Sequence, residues 1–200
     1  GAYGLGVNAE ADYDHATYFA PIGFTSSITK VTTYGSQATT RFNNDMNGGV
    51  TVANYNGHGA SNAWIDGISY TSYEISQLLN TEYPLVTSMG CNTGEFTVTE
   101  CIGESFIRSN RGASAFIGST VTSSWREDGY FGRGMFNAIL QNLSTVTLGE
   151  VLDAAHHQVV LEEGATAKAQ MYYEMYNLLG DPSQTILSTT TPPVEACRCQ

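Results

Sequence analysis

An α/β sandwich with a mainly parallel sheet is the fold the sequence predicts, and three observations carry that expectation. Short apolar segments rich in β-branched residues recur between residues 28 and 117, each nearly continuous. Strands buried on both faces have this character, whereas half-exposed strands alternate. Segments of helical period lie between them, and strand-helix-strand alternation implies parallel strands covered on both sides. The chain also has 200 residues, 42% of them hydrophobic, enough for one domain with a real core.

The elements follow in order. Strands are expected at Ile28 to Thr33, Val50 to Tyr55, Leu85 to Met89 and Ala115 to Ile117. Helices are expected between them at Ala38 to Met46, at Tyr73 to Leu79 with apolar Ile75, Leu78 and Leu79, and at Cys101 to Ile107 with Ile102, Phe106 and Ile107. Beyond residue 129 the period stays helical, through Phe131 to Leu143, Leu148 to Leu161 and Ala165 to Leu179, with Gly164 and Gly180 as stop signals. Asp181-Pro182 turns the chain into a short strand at Thr185 to Leu187. The domain is therefore expected over residues 1–188, and a polar tail over 189–200.

Composition removes several functions. The longest apolar runs fall far short of the roughly 20 residues of a spanning helix, and no basic region followed by an apolar segment opens the chain. Any export signal is expected to have been removed already. The net charge is -11 and the lysines are Lys30 and Lys168 alone, so the surface repels phosphate and nucleic acid is not an expected partner. Few lysines among many Ser and Thr fit a secreted or cell-surface protein. Four cysteines, at 91, 101, 197 and 199, are too few and too clustered for a disulfide scaffold.

Ligands in such a sheet bind beyond the carboxyl ends of the strands. Two of the expected strand ends carry chemistry. One runs into Asn56-Gly57-His58-Gly59 and the other into Gly90-Cys91-Asn92-Thr93-Gly94. One crossover apart on one sheet edge, His58 and Cys91 can meet as base and nucleophile. A free thiol, with a pKa near 8.5, needs an electropositive neighbour to react at neutral pH. The amides of Gly59 and Cys91 can point into the same crevice and form an oxyanion hole. The alternative is a small buried thiol and a satisfied core histidine.

The segment Asn54-Tyr55-Asn56-Gly57-His58-Gly59-Ala60, followed by Ala63-Trp64, resembles the catalytic-histidine segment of the gingipain family of cysteine peptidases. Cys91-Asn92-Thr93-Gly94-Glu95-Phe96 is similar to that family's nucleophile segment, and Cys101 to Phe106 to the helix after it. Ala115 to Thr120 is similar to the next strand, Ser124-Trp125 to the loop that lids the first specificity pocket, and Leu178 to Ser183 to the segment closing the domain. The resemblance spans about residues 8–187 and lacks the caspase nucleophile signature.

What it implies is a caspase-like, three-layer α/β sandwich acting as a cysteine endopeptidase on protein or peptide substrates. Cys91 is then the thiolate nucleophile, and His58 the general base and later acid. The specificity pocket is implied at Asn56, Met89 and Trp125, with Asp12 as the acidic residue that meets arginine; otherwise Asp12 caps a helix beginning near residue 13. A methionine of the pocket wall in arginine-specific members aligns with Gly129, which widens the slot. The family's acidic residue that orients the histidine aligns at or before Gly1, and its first catalytic subdomain is not matched. Gly1 is therefore expected to be a cut end, one sheet edge to be unpaired, and a companion chain or self-association to cover it.

The chemistry calls for no cofactor. Glu127-Asp128 is expected to be a solvated acidic turn, with calcium, which family members often carry, as the alternative. Transpeptidation from the same acyl-enzyme, and a catalytically retired assembly module, are the rival functions. Cys101 is expected to pack in the interior and Trp64 beside the histidine loop. His156 and His157, adjacent on one helix, diverge by about 100° and are expected on a solvated face. Cys197 and Cys199 have no role that the sequence ranks.

Overall fold

In the computed structural model, residues 7–23, 25–65, 69–141, 144–186 and 194–196 are described. Helices α1 (Val7–Asp14), α2 (Val31–Tyr34), α3 (Ala38–Gly48), α4 (Ser72–Ser76), α5 (Ile102–Arg108), α6 (Trp125–Gln141), α7 (Leu148–Glu163) and α8 (Ala167–Met175) alternate with the strands. The strands are β1 (Thr25–Ser27), β2 (Val52–Asn56), β3 (Gly59–Ala60), β4 (Ala63–Trp64), β5 (Tyr70–Thr71), β6 (Leu85–Met89), β7 (Ala115–Ser119), β8 (Tyr176–Leu179) and β9 (Val194–Ala196). A π-helical turn (His15–Phe19) and a 3-10 turn (Ala20–Ile22) follow α1.

The main sheet has the order β1-β9-β2-β6-β7-β8. All its pairings are parallel except the last. A small antiparallel sheet, β3-β4-β5, sits over the end of β2. Side chains alternate across the main sheet, as the pleat requires. Val52, Leu85, Met89, Ala115 and Ile117 enter one core, with Phe131, Met135 and Phe136 of α6, Val151 and Val159 of α7, and Tyr172 of α8. Ala53, Tyr55, Val86 and Phe116 enter the other, with Phe42 and Met46 of α3, Ile75 of α4, and Ile102 and Phe106 of α5. The molecule is thus the three-layer α/β sandwich expected. Each fully buried large apolar side chain contributes about 1.5–3 kcal/mol, and both faces are needed to shield β2, β6 and β7.

Several expectations are corrected. The strand of Ile28 to Thr33 is absent: Thr33 N and Tyr34 N both donate to the Lys30 carbonyl at 2.9 Å, starting the helical turn α2. Local hydrogen bonding there outweighs β-branched composition. The helix of Ala165 to Leu179 stops at Met175, and its last residues become β8, antiparallel to β7. An open strand edge offers backbone partners that helical propensity alone does not weigh. The expected polar tail contains β9, which pairs with Val52 and Ala53 of β2 and separates that strand from β1. The strands at the two ends of the main sheet are β1 and β8. Asp12 lies inside α1 rather than capping a helix, and Trp125 opens α6 rather than belonging to a loop. Glu127 and Asp128 form no solvated turn: they sit buried in the first turn of α6. The region of Thr185 contributes an isolated bridge to Thr147, and Leu187, Cys197, Cys199 and Gly1 lie outside the described residues.

The paired histidines separate as helix geometry demands, but only His157 is exposed. His156 is 4% exposed, stacked on Tyr173 at 4.4 Å and edge-on to Phe131 at 5.4 Å. Burial holds its imidazole below the ordinary histidine value, against the pull of Asp153. As pH falls through the ordinary value near 6.5, the unfolded chain takes the proton first, and stability drops until the folded imidazole also protonates. His156→Phe should therefore lose less stability than the parent between pH 7.5 and 5.5. Urea unfolding midpoints at the two pH values measure this, and an equal loss in both proteins contradicts it.

Candidate active site

Parallel pairing puts the ends of β2 and β6 level. Asn56 lies opposite Met89, and the ladder continues one step further, Gly57 N donating to Met89 O at 3.2 Å. The residues that follow, Gly57-His58-Gly59 and Gly90-Cys91, are pressed together. A Cβ on Gly59 would lie 2.5 Å from the Cys91 carbonyl oxygen and 3.1 Å from the Cys91 nitrogen; one on Gly90 would lie 2.9 Å from Gly57 O and 3.5 Å from Gly59 N. Only glycine permits this approach, so Gly59 after the histidine and Gly90 before the thiol are steric requirements of one contact.

His58 emerges from that contact exposed, and Cys91 half-buried. The His58 carbonyl accepts from Tyr55 Oη at 2.6 Å and from Ile65 N at 3.0 Å. The second bond belongs to the β3-β4 hairpin and makes Gly59 and Trp64 a non-hydrogen-bonded pair. The Gly59 amide is thereby turned away from the hairpin. Tyr55 stacks flat on Trp64, 4.5 Å between centroids and 6° between planes, and Trp64 Nε1 donates to Ser88 Oγ at 3.0 Å. Trp64 thus packs beneath the histidine loop, as expected.

The thiol side is equally built. Asn92 has φ of 63°, the left-handed conformation that asparagine tolerates better than most residues. It bends the chain away from β6 immediately after Cys91. Thr93 Oγ1 donates back to Gly90 O at 3.1 Å, and Gly103 N, at the start of α5, donates to Thr93 O at 3.1 Å. Glu95 joins the two halves, accepting from Ser61 Oγ of the histidine hairpin at 2.6 Å and from Asn92 Nδ2 at 3.0 Å. Its carboxyl is lowered from the ordinary range, first by the Ser61 hydrogen bond and then by that of Asn92. The Cys91 thiol faces the Ser123 carbonyl at 3.9 Å, and the His58 ring meets Trp125 edge-on at 5.2 Å. Cys101, by contrast, is fully buried, as expected, and burial raises its thiol above the ordinary value.

The residues expected to form a specificity pocket are distributed differently. Trp125 is 49% exposed beside His58, whereas Asn56 and Met89 are 4% and 1% exposed. Met89 faces the core beneath α6. Asp12 binds Lys30 Nζ through both oxygens, at 2.7 and 2.8 Å. Its helix meets α6 at Arg133, whose guanidinium lies 5.5 Å over the Tyr13 ring, about two turns beyond Trp125. Glu127 accepts from Arg126 at 2.7 Å, and Asp128 accepts from three hydroxyls. The carboxylates for which calcium was the alternative reading are therefore engaged within the protein. Among the described residues no group of three or more His, Cys, Asp or Glu is arranged to hold a metal ion. Sequence reasoning missed Tyr55, Glu95 and Ser123. The first two lay inside the segments that carried the resemblance; nothing in the sequence marked Ser123.

A thiol and an imidazole thus stand on interlocked loops at the carboxyl edge of a mainly parallel sheet, in a protein of the α/β class. The model of peptidase family C25 matches residues 7–186, and the chain belongs to that family. It is 33% identical over 162 residues to Lys-gingipain W83 of Porphyromonas gingivalis, covering 69% of this chain and 9% of that protein. It is 27% identical to gingipain R2 of the same organism over 94% of this chain and 26% of that one. The chain therefore spans a minor part of the length of these relatives. The crystal structure of the Arg-specific cysteine proteinase gingipain R (RGPB) shares the fold, with a TM-score of 0.65 and 18% identity over 90% of this chain and 52% of that one. A complex of Porphyromonas gingivalis RgpB pro- and mature domains gives a TM-score of 0.64 and 19% identity over 87% of this chain and 52% of that one.

The contact between the loops yields a direct test. Gly59→Ala must push the Cys91 backbone or the Thr93 methyl, which its Cβ would meet at 2.7 Å. We expect a loss of about 1–3 kcal/mol of stability, as for overpacking, and slower alkylation of Cys91 by iodoacetamide. Gly48→Ala, with nothing within 4 Å, should leave both unchanged. Equal alkylation rates in the two variants would show that the loops are not in contact.

Proposed function

We propose that this chain carries the nucleophile and base of a cysteine endopeptidase. The observation that supports the reading best is the glycine-tight contact between the loops of His58 and Cys91. In this reading His58 takes the thiol proton as sulfur attacks the peptide carbonyl, and the Gly59 and Cys91 amides receive the oxyanion. The tetrahedral intermediate collapses as His58 returns the proton to the leaving amine, leaving a thioester that water hydrolyses. Substrates are proteins or peptides, met outside the cell or on its surface. A companion chain, or a second copy, would pair along β1, the strand at the sheet's end. Turnover of the thioester by an amine instead of water gives the transpeptidase reading, and an inert site gives the assembly module.

A peptide-like irreversible thiol probe separates these. We expect labelling at Cys91, not at buried Cys101, and its loss in His58→Ala. Absence of labelling in the folded parent protein would favour the assembly module. Products captured with an added amine, in preference to water, would favour transpeptidation.

Arginine ahead of the scissile bond is the specificity we propose, with Trp125 stacking on the guanidinium for about 0.5–2 kcal/mol and Asp12 as its carboxylate. The arginine must then displace Lys30, the present partner of Asp12. That exchange occurs at an exposed carboxylate, so Asp12→Asn should slow arginine substrates by only about tenfold. Lys30→Ala should raise the preference for arginine. A peptide-library profile unchanged by both substitutions would remove Asp12 from the pocket.

A further inference from the structure

One short loop touches both members of the proposed pair. It leaves β7 at Ser119 and enters α6 at Trp125. Its Val121 carbonyl accepts from Asn92 N at 3.1 Å, its Ser123 carbonyl faces Cys91 Sγ at 3.9 Å, and the Trp125 ring at its end meets His58 at 5.2 Å. Whatever holds this loop sets where the thiol and the imidazole stand.

Its first anchor is the backbone of α8, Thr120 N and Oγ1 both donating to Met175 O at 2.8 and 3.1 Å. Its second is a carboxylate. Asp128, 3% exposed in the first turn of α6, accepts from Ser123 Oγ at 2.7 Å on one oxygen. On the other it accepts from Tyr172 Oη at 2.8 Å and Tyr176 Oη at 2.7 Å. The Tyr172 hydroxyl in turn accepts from Ser124 N at 3.0 Å. Loop, α6, α8 and β8 thus converge on one carboxyl group. Burial raises that group to about 6, so it is ionised at neutral pH and takes all three hydroxyl donors as acceptor. An ionised buried carboxylate needs that many partners, and a group with three partners fixes geometry as well.

We propose that Asp128 is a positioning residue for the reaction at Cys91, holding through Ser123 and Tyr172 the loop that sets the thiol and the His58 ring. The proposal rests on the reading of Cys91 and His58 given above. Asp128 itself reaches neither the sulfur nor the substrate; it acts through the backbone it pins. A displacement on the order of 1 Å at a reacting atom can lower a rate about 100-fold, which sets the scale of the expected effect.

The test compares four variants of the whole chain, with peptide turnover and Cys91 alkylation measured side by side. Cys91→Ala comes first: if it keeps its peptidase activity, the reading of the site fails whatever Asp128 does. If turnover requires Cys91, Asp128→Ala should lower kcat about 100-fold with KM little changed, and should slow alkylation of Cys91 by iodoacetamide. Asp128→Asn, which keeps the shape and one accepting oxygen for the two tyrosines, should recover most of the loss. Tyr172→Phe keeps the ring and removes only the hydroxyl, so it carries the test should Asp128→Ala fail to fold; about a tenfold loss in kcat is expected. Folded Asp128→Ala or Tyr172→Phe protein with parental kcat and parental Cys91 alkylation would overturn the proposal. So would a uniform loss in which KM alone rises.

Discussion

The parallel register of β2 and β6 is the constraint on which the rest of this molecule depends. Because Asn56 stands opposite Met89, both strands end at one level, and the residues after them must share one small space. An antiparallel pairing would send the two ends to opposite edges. Parallel strands in turn demand cover on both faces, and the two cores built by α3 to α5 and by α6 to α8 supply it. The layers exist in this form because the central strands carry apolar side chains of both parities.

The space at the strand ends is narrow enough to select its residues. Gly59 and Gly90 leave no room for a Cβ against the opposing backbone, while His58 turns outward and Cys91 stays half-buried. Polar clamps flank this contact on two sides. Glu95 ties the histidine hairpin to the cysteine turn through Ser61 and Asn92. Asp128 ties the loop over them to α8 and β8. One clamp is half-buried, within reach of water, and the other is fully buried. A solvated carboxylate can exchange its partners with water, whereas a buried one retains its partners because nothing else can satisfy it.

Much of this was legible in the amino-acid order. Leu85 to Met89 is a strand with the expected bounds, and α3, α5 and α7 fall where the helical period put them. Cys101 and Trp64 are buried as read. The misreadings share a cause. Tyr176–Leu179 has helical spacing yet pairs with β7, Val194–Ala196 looks like tail yet lies between β1 and β2, and His156 looks solvated yet packs between aromatic rings. In each, the deciding partner lies far away in sequence: the free edge of β7, the flank of β2, or the rings of Phe131 and Tyr173.

What the sequence by itself determined is the layered fold, the family, and the two glycine-flanked residues at strand ends. The fold is written locally in side-chain period and β-branched runs, the family in motif segments such as Asn54 to Ala60 and Cys91 to Phe96, and the site in glycines that a close backbone approach requires. Only the tertiary structure decided that Asp12 is held by Lys30, that Met89 and Asn56 lie buried while Trp125 stands open beside His58, and that Asp128 is a buried acceptor for three hydroxyls. The physical reason is that a carboxylate's role depends on what desolvates it and which donors surround it. For Asp128 those donors come from a loop, a helix and a strand that only folding brings together.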